Sequence, residues 1–172
     1  MNNLYTTYNL DEIEIFKNLT PSNKTPLTAT SQLINISSKI PIFKEIPETI
    51  LIKILKDIKI MKYKKGEIII KEREIDDRIF YILLGEVHVL KRNILITNLS
   101  NHSIVGEMAG LLNQKRTASI ISANNSTTII SFKIDFSMIQ TDLGYYFALI
   151  YKNLSIELAK KLLHQDNQII NK

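Results

Sequence analysis

Two hydrophobic periods divide the chain. From Lys64 to about Phe136 apolar residues come in short runs: Glu67–Ile70, Ile79–Leu84, Val87–Leu90, Ile94–Thr97, Ala118–Ser122 and Thr128–Ile134. Gly66, Gly85 and Gly106 punctuate them. Many short strands at close spacing predict an all-β sandwich or barrel. One segment breaks the series. Gly106 to Leu112 (GEMAGLL) has poor strand character and predicts a short helix set between strands. On either side of the β region the period is helical. Ser38 to Ile60 predicts a helix pair: Pro41 breaks the chain after a first turn, and Pro47-Glu48 opens a new helix, since proline's missing N–H costs nothing in a first turn. Ile50, Ile54, Leu55 and Ile58 form the apolar face of that second helix. From about Leu143, Tyr146, Leu149, Ile150, Leu154, Leu158 and Leu162 recur at three- and four-residue steps. They predict a last helix running to about residue 166.

The first 35 residues differ in kind, being rich in Asn, Thr and Ser. Leu10 to Leu19 predicts one short helix, with Ile13, Phe16 and Leu19 at helical spacing, and Pro21 to Ser31 reads as a linker. The expected organisation is a partly flexible extension over 1–37, one domain over 38–166 and a tail over 167–172.

Composition narrows the function classes. The chain has 172 residues, of which 45% are hydrophobic, enough for one domain with a true core. It has no Cys, which removes disulfides, thiolate metal sites and Cys nucleophiles. No signal peptide pattern opens the sequence, and no apolar run approaches a membrane span. A cytoplasmic location is expected. Lys and Arg number 22 against 17 Asp and Glu, so the net charge is +5 and anionic partners are favoured. Lys62, Lys64 and Lys65 read as a solvated strand entry. No recognition helix or aromatic platform accompanies the charge, so nucleic acid is not the expected partner. His88, His102 and His164 fall in a strand, a loop and a helix end. They are not spaced as a ligand set, and no metal site is expected. No Gly-flanked nucleophile elbow is present. The chain is not expected to be an enzyme.

The segment that carries chemistry is Gly106 to Ser119, GEMAGLLNQKRTAS. A glycine precedes the first turn of a short helix, whose free N–H groups suit an anion. Arg116 follows Glu107 by nine residues, where a strand resumes. Its planar fork can pair with a phosphate, and Glu107 offers acceptors to a sugar hydroxyl. The bland alternative is a Glu107–Arg116 salt bridge tying helix to strand.

GEMAGLLNQKRTAS resembles the phosphate-binding cassette of cyclic-nucleotide-binding domains, the family of kinase regulatory subunits, cyclic-nucleotide-gated channels and the catabolite activator protein. The family pattern is Gly-Glu-aliphatic-Ala/Gly, an apolar stretch, then Arg-(Ala/Ser/Thr)-Ala-(Thr/Ser), and this chain matches it without a gap. Lys115 stands where Pro is frequent. The likeness extends to Ile40-Pro41-Ile42-Phe43, to Tyr63–Ile69 and to Phe80–Val87, covering roughly residues 38 to 165. Two further departures are visible. Lys71 to Asp77 (KEREIDD) and Asn101 to Val105 both lack glycines that the family often carries. The resemblance implies a mainly β fold: an eight-stranded jelly-roll-like barrel with N-terminal helices and a C-terminal lid helix. It implies a ligand site of Gly106, Glu107, Met108, Ala109, Arg116, Thr117 and Ala118. Arg116 and the N–H groups of Ala109 and Thr117 would hold the cyclic phosphate, and Glu107 the ribose 2′-OH. Glu157, Leu158 and Lys161 are the lid candidates. Taken alone, Glu157 reads as a solvated i,i+4 partner of Lys161. The ligand implied is a 3′,5′-cyclic mononucleotide, cAMP favoured and cGMP an option, with no other cofactor. The alternative is the same fold as an interaction module for another ligand, such as a cyclic dinucleotide, or for none. Because no helix-turn-helix, second sensor domain or membrane helix precedes Lys172, the expectation is a stand-alone sensor. It would relay occupancy to an unknown effector protein through the last helix, which also offers a homodimer surface.

Overall fold

The computed structural model describes residues 33–170. The expected helix at Leu10–Leu19 and the linker at Pro21–Ser31 lie outside the described residues. Residues 33–37 are helical, and a 3-10 turn at Pro41–Phe43 leads into α1 (Glu48–Ile54), with Pro47 as its N-cap. The strands are β1 (Leu55–Tyr63), β2 (Ile68–Ile70), β3 (Ile79–Leu84), β4 (Glu86–Lys91), β5 (Ile94–Ser100) and β6 (Ile104–Val105). After α2 (Glu107–Leu112) come β7 (Ser119–Ser122) and β8 (Thr127–Ile134). A 3-10 turn at Phe136–Gln140 then leads to α3 (Gly144–Ile170). The eight strands form two antiparallel sheets of four, ordered β1-β8-β3-β6 and β2-β7-β4-β5. The mainly β architecture with flanking helices is as expected. Among the described residues no helix is long and apolar enough to cross a membrane.

Two cores explain the continuous apolar runs. Phe80, Ile82, Val87, Val105, Ile120 and Ile129 meet between the sheets. Ile79, Tyr81, Ile130, Phe132 and Ile134 point the other way, onto Phe43, Leu51, Phe147 and Ile150 of the helical layer. Successive side chains of β3 and β8 thus enter different cores. A strand covered on both faces reads as an unbroken apolar run, which is why IFYILL lacks alternation, while β8 also buries Thr127, Thr128 and Ser131.

One expected helix is shorter than predicted, and the difference has a local cause. The apolar face proposed for Ser38–Ile60 included Leu55 and Ile58. The helix stops at Ile54, and residues 55–63 are β1, paired with β8 from Leu55↔Ile134 to Tyr63↔Thr127. The register shifts between Lys56 and Lys59, where Asp57 has φ 51°. This bulge inserts a residue, so Leu55 and Ile58 of the strand continue the helical spacing of Ile54. β1 is also an edge, and its exposed Lys56, Lys59 and Lys62 guard it against pairing with another sheet. β6, with two residues, is too short to show a period, and α3 runs past the predicted end to Ile170.

Each of the two glycine-poor segments contains a residue in the left-handed region. Arg73 (φ 71°) and His102 (φ 69°) adopt that conformation in the two segments singled out above. Arg92 (φ 51°) and Asn93 (φ 64°) form the two-residue turn of the β4–β5 hairpin, which requires positive φ at both positions.

Candidate functional site

Gly106 sets the geometry. At φ 83° it is the left-handed N-cap of α2, and a Cβ there would stand 2.7 Å from Arg116 Nη1 and 3.1 Å from the Arg78 carbonyl oxygen. Only glycine lets α2 begin against the arginine.

Arg116 is 3% exposed. Its Nη1 donates to the Gly106 carbonyl (2.6 Å), and its Nη2 donates to the Arg78 carbonyl (2.8 Å) and to Asp76 Oδ2 (2.7 Å). The guanidinium carbon lies 5.3 Å from the Phe80 ring centroid. Nε is buried with no acceptor among the described residues. The backbone of the 71–77 loop joins in: Arg73 N donates to the Arg116 carbonyl (2.8 Å), and Arg116 N donates to the Glu74 carbonyl (2.9 Å). Arg116 therefore clasps this loop, α2 and β7 together.

Glu107 opens α2 and is 5% exposed. It does not bridge to Arg116. Its Oε1 accepts from Lys161 Nζ of α3 at 2.6 Å, so the two site charges have separate partners. Lys161 was expected to pair with Glu157. Glu157 instead accepts from Lys160 at 2.7 Å, one residue nearer, and Lys161 is spent on Glu107.

A cleft of ≈ 940 Å³ brings these groups together. Gly106, Glu107, Met108, Ala109, Arg116, Thr117 and Ala118 all line it, with Glu157, Lys160 and Lys161 on the α3 side. Ala109 is buried, Met108 is exposed, and Thr117 and Ala118 are half-buried at the entry to β7. Leu158 differs from expectation: it turns into the helical layer and packs on that core rather than in the cleft. Tyr81 and His102 also line the cleft, Tyr81 Oη lying 2.8 Å from His102 Nδ1. Burial holds the His102 pKa below its ordinary value. Among the described residues no cluster of three or more His, Cys, Asp or Glu is placed to hold a metal.

Sequence reasoning missed Asp76, Arg78 and Phe80 as surroundings of Arg116. The one signal was the glycine-poor loop KEREIDD, whose acidic end proves to be the arginine's partner.

Residues 60–139 match the cyclic nucleotide-binding domain family. This chain carries a cyclic nucleotide-binding domain. The domain is 36% identical over 100 residues to a cGMP-dependent protein kinase of Eimeria tenella, spanning 58% of this chain and 10% of the kinase. The chain thus spans about a tenth of the length of such kinase relatives. In three dimensions the domain is similar to PKAR CBD2 bound to Sp-2Cl-cAMPS, with 26% identity and a TM-score of 0.55, over 83% of this chain and 95% of that one. It also shares its fold with a cyclic nucleotide-binding domain from Methylobacillus flagellatus. There the TM-score is 0.63 at 17% identity, over 83% of this chain and 84% of that one.

Proposed function

We propose that the domain binds a 3′,5′-cyclic mononucleotide in the cleft between α2, β7 and α3. The observation that carries this reading is Arg116: a buried guanidinium with its Nε–H unused, lining the same cleft as the Glu107 carboxylate. A buried donor without an acceptor is costly, and a ligand phosphate oxygen would complete it. The phosphate would displace Asp76 from Nη2, and Asp76 is exposed enough for water to take it up. Backbone N–H groups of Ala109 and Thr117 add donors for the phosphate. Glu107 keeps acceptor capacity for the ribose 2′-OH, because a carboxylate offers about four lone-pair sites and Lys161 uses one. Gly106, Met108 and Ala118 shape the wall, and Glu157 faces the base from α3.

Occupancy would reach an effector protein through α3. Its exposed Ile156, Leu162 and Leu163 offer a surface to that partner or to a second copy. Relay requires different ligand affinity in two positions of the helix.

In this reading the site takes both cGMP and cAMP. The kinase relatives are named for cGMP, and the solved neighbour PKAR CBD2 holds a cAMP derivative. The Thr117 hydroxyl can reach the 2-amino group of a syn guanine. One such hydrogen bond contributes ~0.5–1.5 kcal/mol, at most about tenfold in selectivity. Calorimetric titration with cAMP, cGMP and cyclic dinucleotides tests the reading. Both mononucleotides should bind, within about thirtyfold of each other. Saturating binding by a cyclic dinucleotide alone would replace it. Thr117→Ala should weaken cGMP up to about tenfold and leave cAMP nearly unchanged; an equal loss for cAMP assigns Thr117 to the phosphate or the fold.

Glu107→Ala should weaken cAMP more than 2′-deoxy-cAMP. A hydrogen bond to a charged group is worth ~1.5–3 kcal/mol, or roughly ten- to a hundredfold in the ratio of the two affinities. Equal losses would mean that Glu107 serves α3 through Lys161 and not the ribose.

A further inference from the structure

Three exposed segments meet at the end of the barrel where the β4–β5 hairpin turns. The Arg92 N–H donates to Glu72 Oε2 at 2.8 Å, which ties the hairpin to the 71–77 loop. That loop is tied in turn to Arg116 and to Ser119 of β7, and a Cβ on Gly110 of α2 would stand 3.3 Å from the Asp77 carbonyl oxygen. Each segment shows large aliphatic side chains to solvent. Ile75 of the loop is 85% exposed, Leu112 at the end of α2 58%, and Ile94 and Leu95 of the hairpin 66% and 54%. The register slip opposite Val89 and Leu90 leaves Ile96 outside as well. Cations are interleaved with them: Lys71 and Arg73 on the loop, Lys91 and Arg92 at the hairpin, and Lys115 after α2 are all exposed. Asp76 and Asp77 of the loop are already paired with Arg116 and Lys133, which leaves Glu72 and Glu74 against those cations.

We infer that this end of the barrel docks on an anionic lipid surface, with the aliphatic tips entering the headgroup layer and the cations meeting the lipids' negative charge. Exposed aliphatic side chains set among Lys and Arg call for a partner that offers hydrocarbon and negative charge together. The interface of an anionic bilayer offers both. The tips stand on three separate segments, which a fluid acyl layer can surround one by one. They include no Phe, Tyr or Trp, so the stacking platform that single-stranded nucleic acid uses is missing. The fold does not account for them either: Ile75, Ile94, Leu95 and Leu112 belong to neither core. The attachment is peripheral and needs no membrane-crossing helix, and among the described residues there is none.

The test sediments the full chain with vesicles of phosphatidylcholine alone and with vesicles that also carry phosphatidylserine, at low and high salt. The chain should bind the phosphatidylserine vesicles only, and salt should weaken the binding. Two variants separate the contributions, and circular dichroism should find both folded, because all four residues are exposed. Lys91→Gln with Arg92→Asn should weaken partitioning about twentyfold, since each cation near an anionic leaflet is worth about fivefold. Asparagine also tolerates the positive φ of residue 92. Ile94→Ser with Leu95→Ser should weaken it at least tenfold, since each methylene buried in lipid is worth about fourfold. Lys59→Gln with Lys62→Gln removes the same charge from the β1 edge and should change partitioning less than about threefold. An equal loss from the β1 pair overturns the inference, because net charge would then act and not this face. So does wild-type partitioning by the Ile94 and Leu95 variant, or equal binding to phosphatidylcholine alone. A chain that leaves both kinds of vesicle unbound, whether or not it retains RNA or an acidic peptide, overturns it as well.

Discussion

Arg116→Ala is expected to lower cyclic-nucleotide affinity by roughly thirtyfold to several thousandfold. Truncating one partner of a buried charged pair costs ~2–5 kcal/mol, and ~1.4 kcal/mol is one decade in Kd. The variant has a second effect. Arg116 supplies the donors for the Gly106 and Arg78 carbonyls and the cation for Asp76. Its loss leaves those acceptors to water, at a stability cost of ~1–3 kcal/mol. Arg116→Lys separates the two effects. A lysine keeps the charge but has no planar fork, so it can serve the phosphate or the clasp, not both. Affinity should fall at least tenfold, with a melting temperature between those of wild type and Arg116→Ala. Titration after circular dichroism confirms a folded variant is the measurement. A change in Kd below threefold for folded Arg116→Ala would remove the arginine from the site.

Phe132→Ala is expected to be among the costliest single truncations for the fold. Phe132 is fully buried on the outer face of β8, its ring 5.2 Å from that of Phe43 and inclined at 58°. It joins the sheet to the layer that carries α1 and α3. Deleting a buried aromatic ring removes its transfer free energy and leaves a cavity, together ~3–5 kcal/mol. That is a large share of a typical stability of ~5–15 kcal/mol. Ile94→Ala is the control. Ile94 is 66% exposed at the β4–β5 hairpin, and its loss should stay within ~0.5 kcal/mol. Urea unfolding followed by far-ultraviolet dichroism decides: a loss below ~1 kcal/mol for Phe132→Ala would contradict the packing of β8 on the helical layer.

What could be read from the chain was local. The bounds of β3 are those of its apolar run, Ile79–Leu84, because the adjacent side chains of residues 79–83 face two different cores and must be apolar. The cassette Gly106–Ser119 was legible for a similar reason. Gly106, the short helix and Arg116 are neighbours in sequence, and the close approach of Gly106 to Arg116 rules out a Cβ. β1 was hidden by its bulge, which converts a two-residue alternation into a helical spacing.

The partners of the site charges were decided only by tertiary structure. Arg116 and Asp76 are 40 residues apart, and Glu107 and Lys161 are 54 apart. From sequence, Glu107 with Arg116 and Glu157 with Lys161 were equally good pairs, since any cation within reach satisfies a carboxylate. The choice follows from placement. The 71–77 loop closes over Arg116 and supplies Asp76, so the arginine needs no help from Glu107. Phe147, Ile150 and Leu154 fix the rotation of α3 on the helical layer, and Glu157, Lys160 and Lys161 line the cleft. That rotation turns Lys161 inward to Glu107 and leaves Lys160 for Glu157. Short-range pattern determines which residues form a strand, a turn or a cassette. Packing of distant elements determines which charge each of them meets.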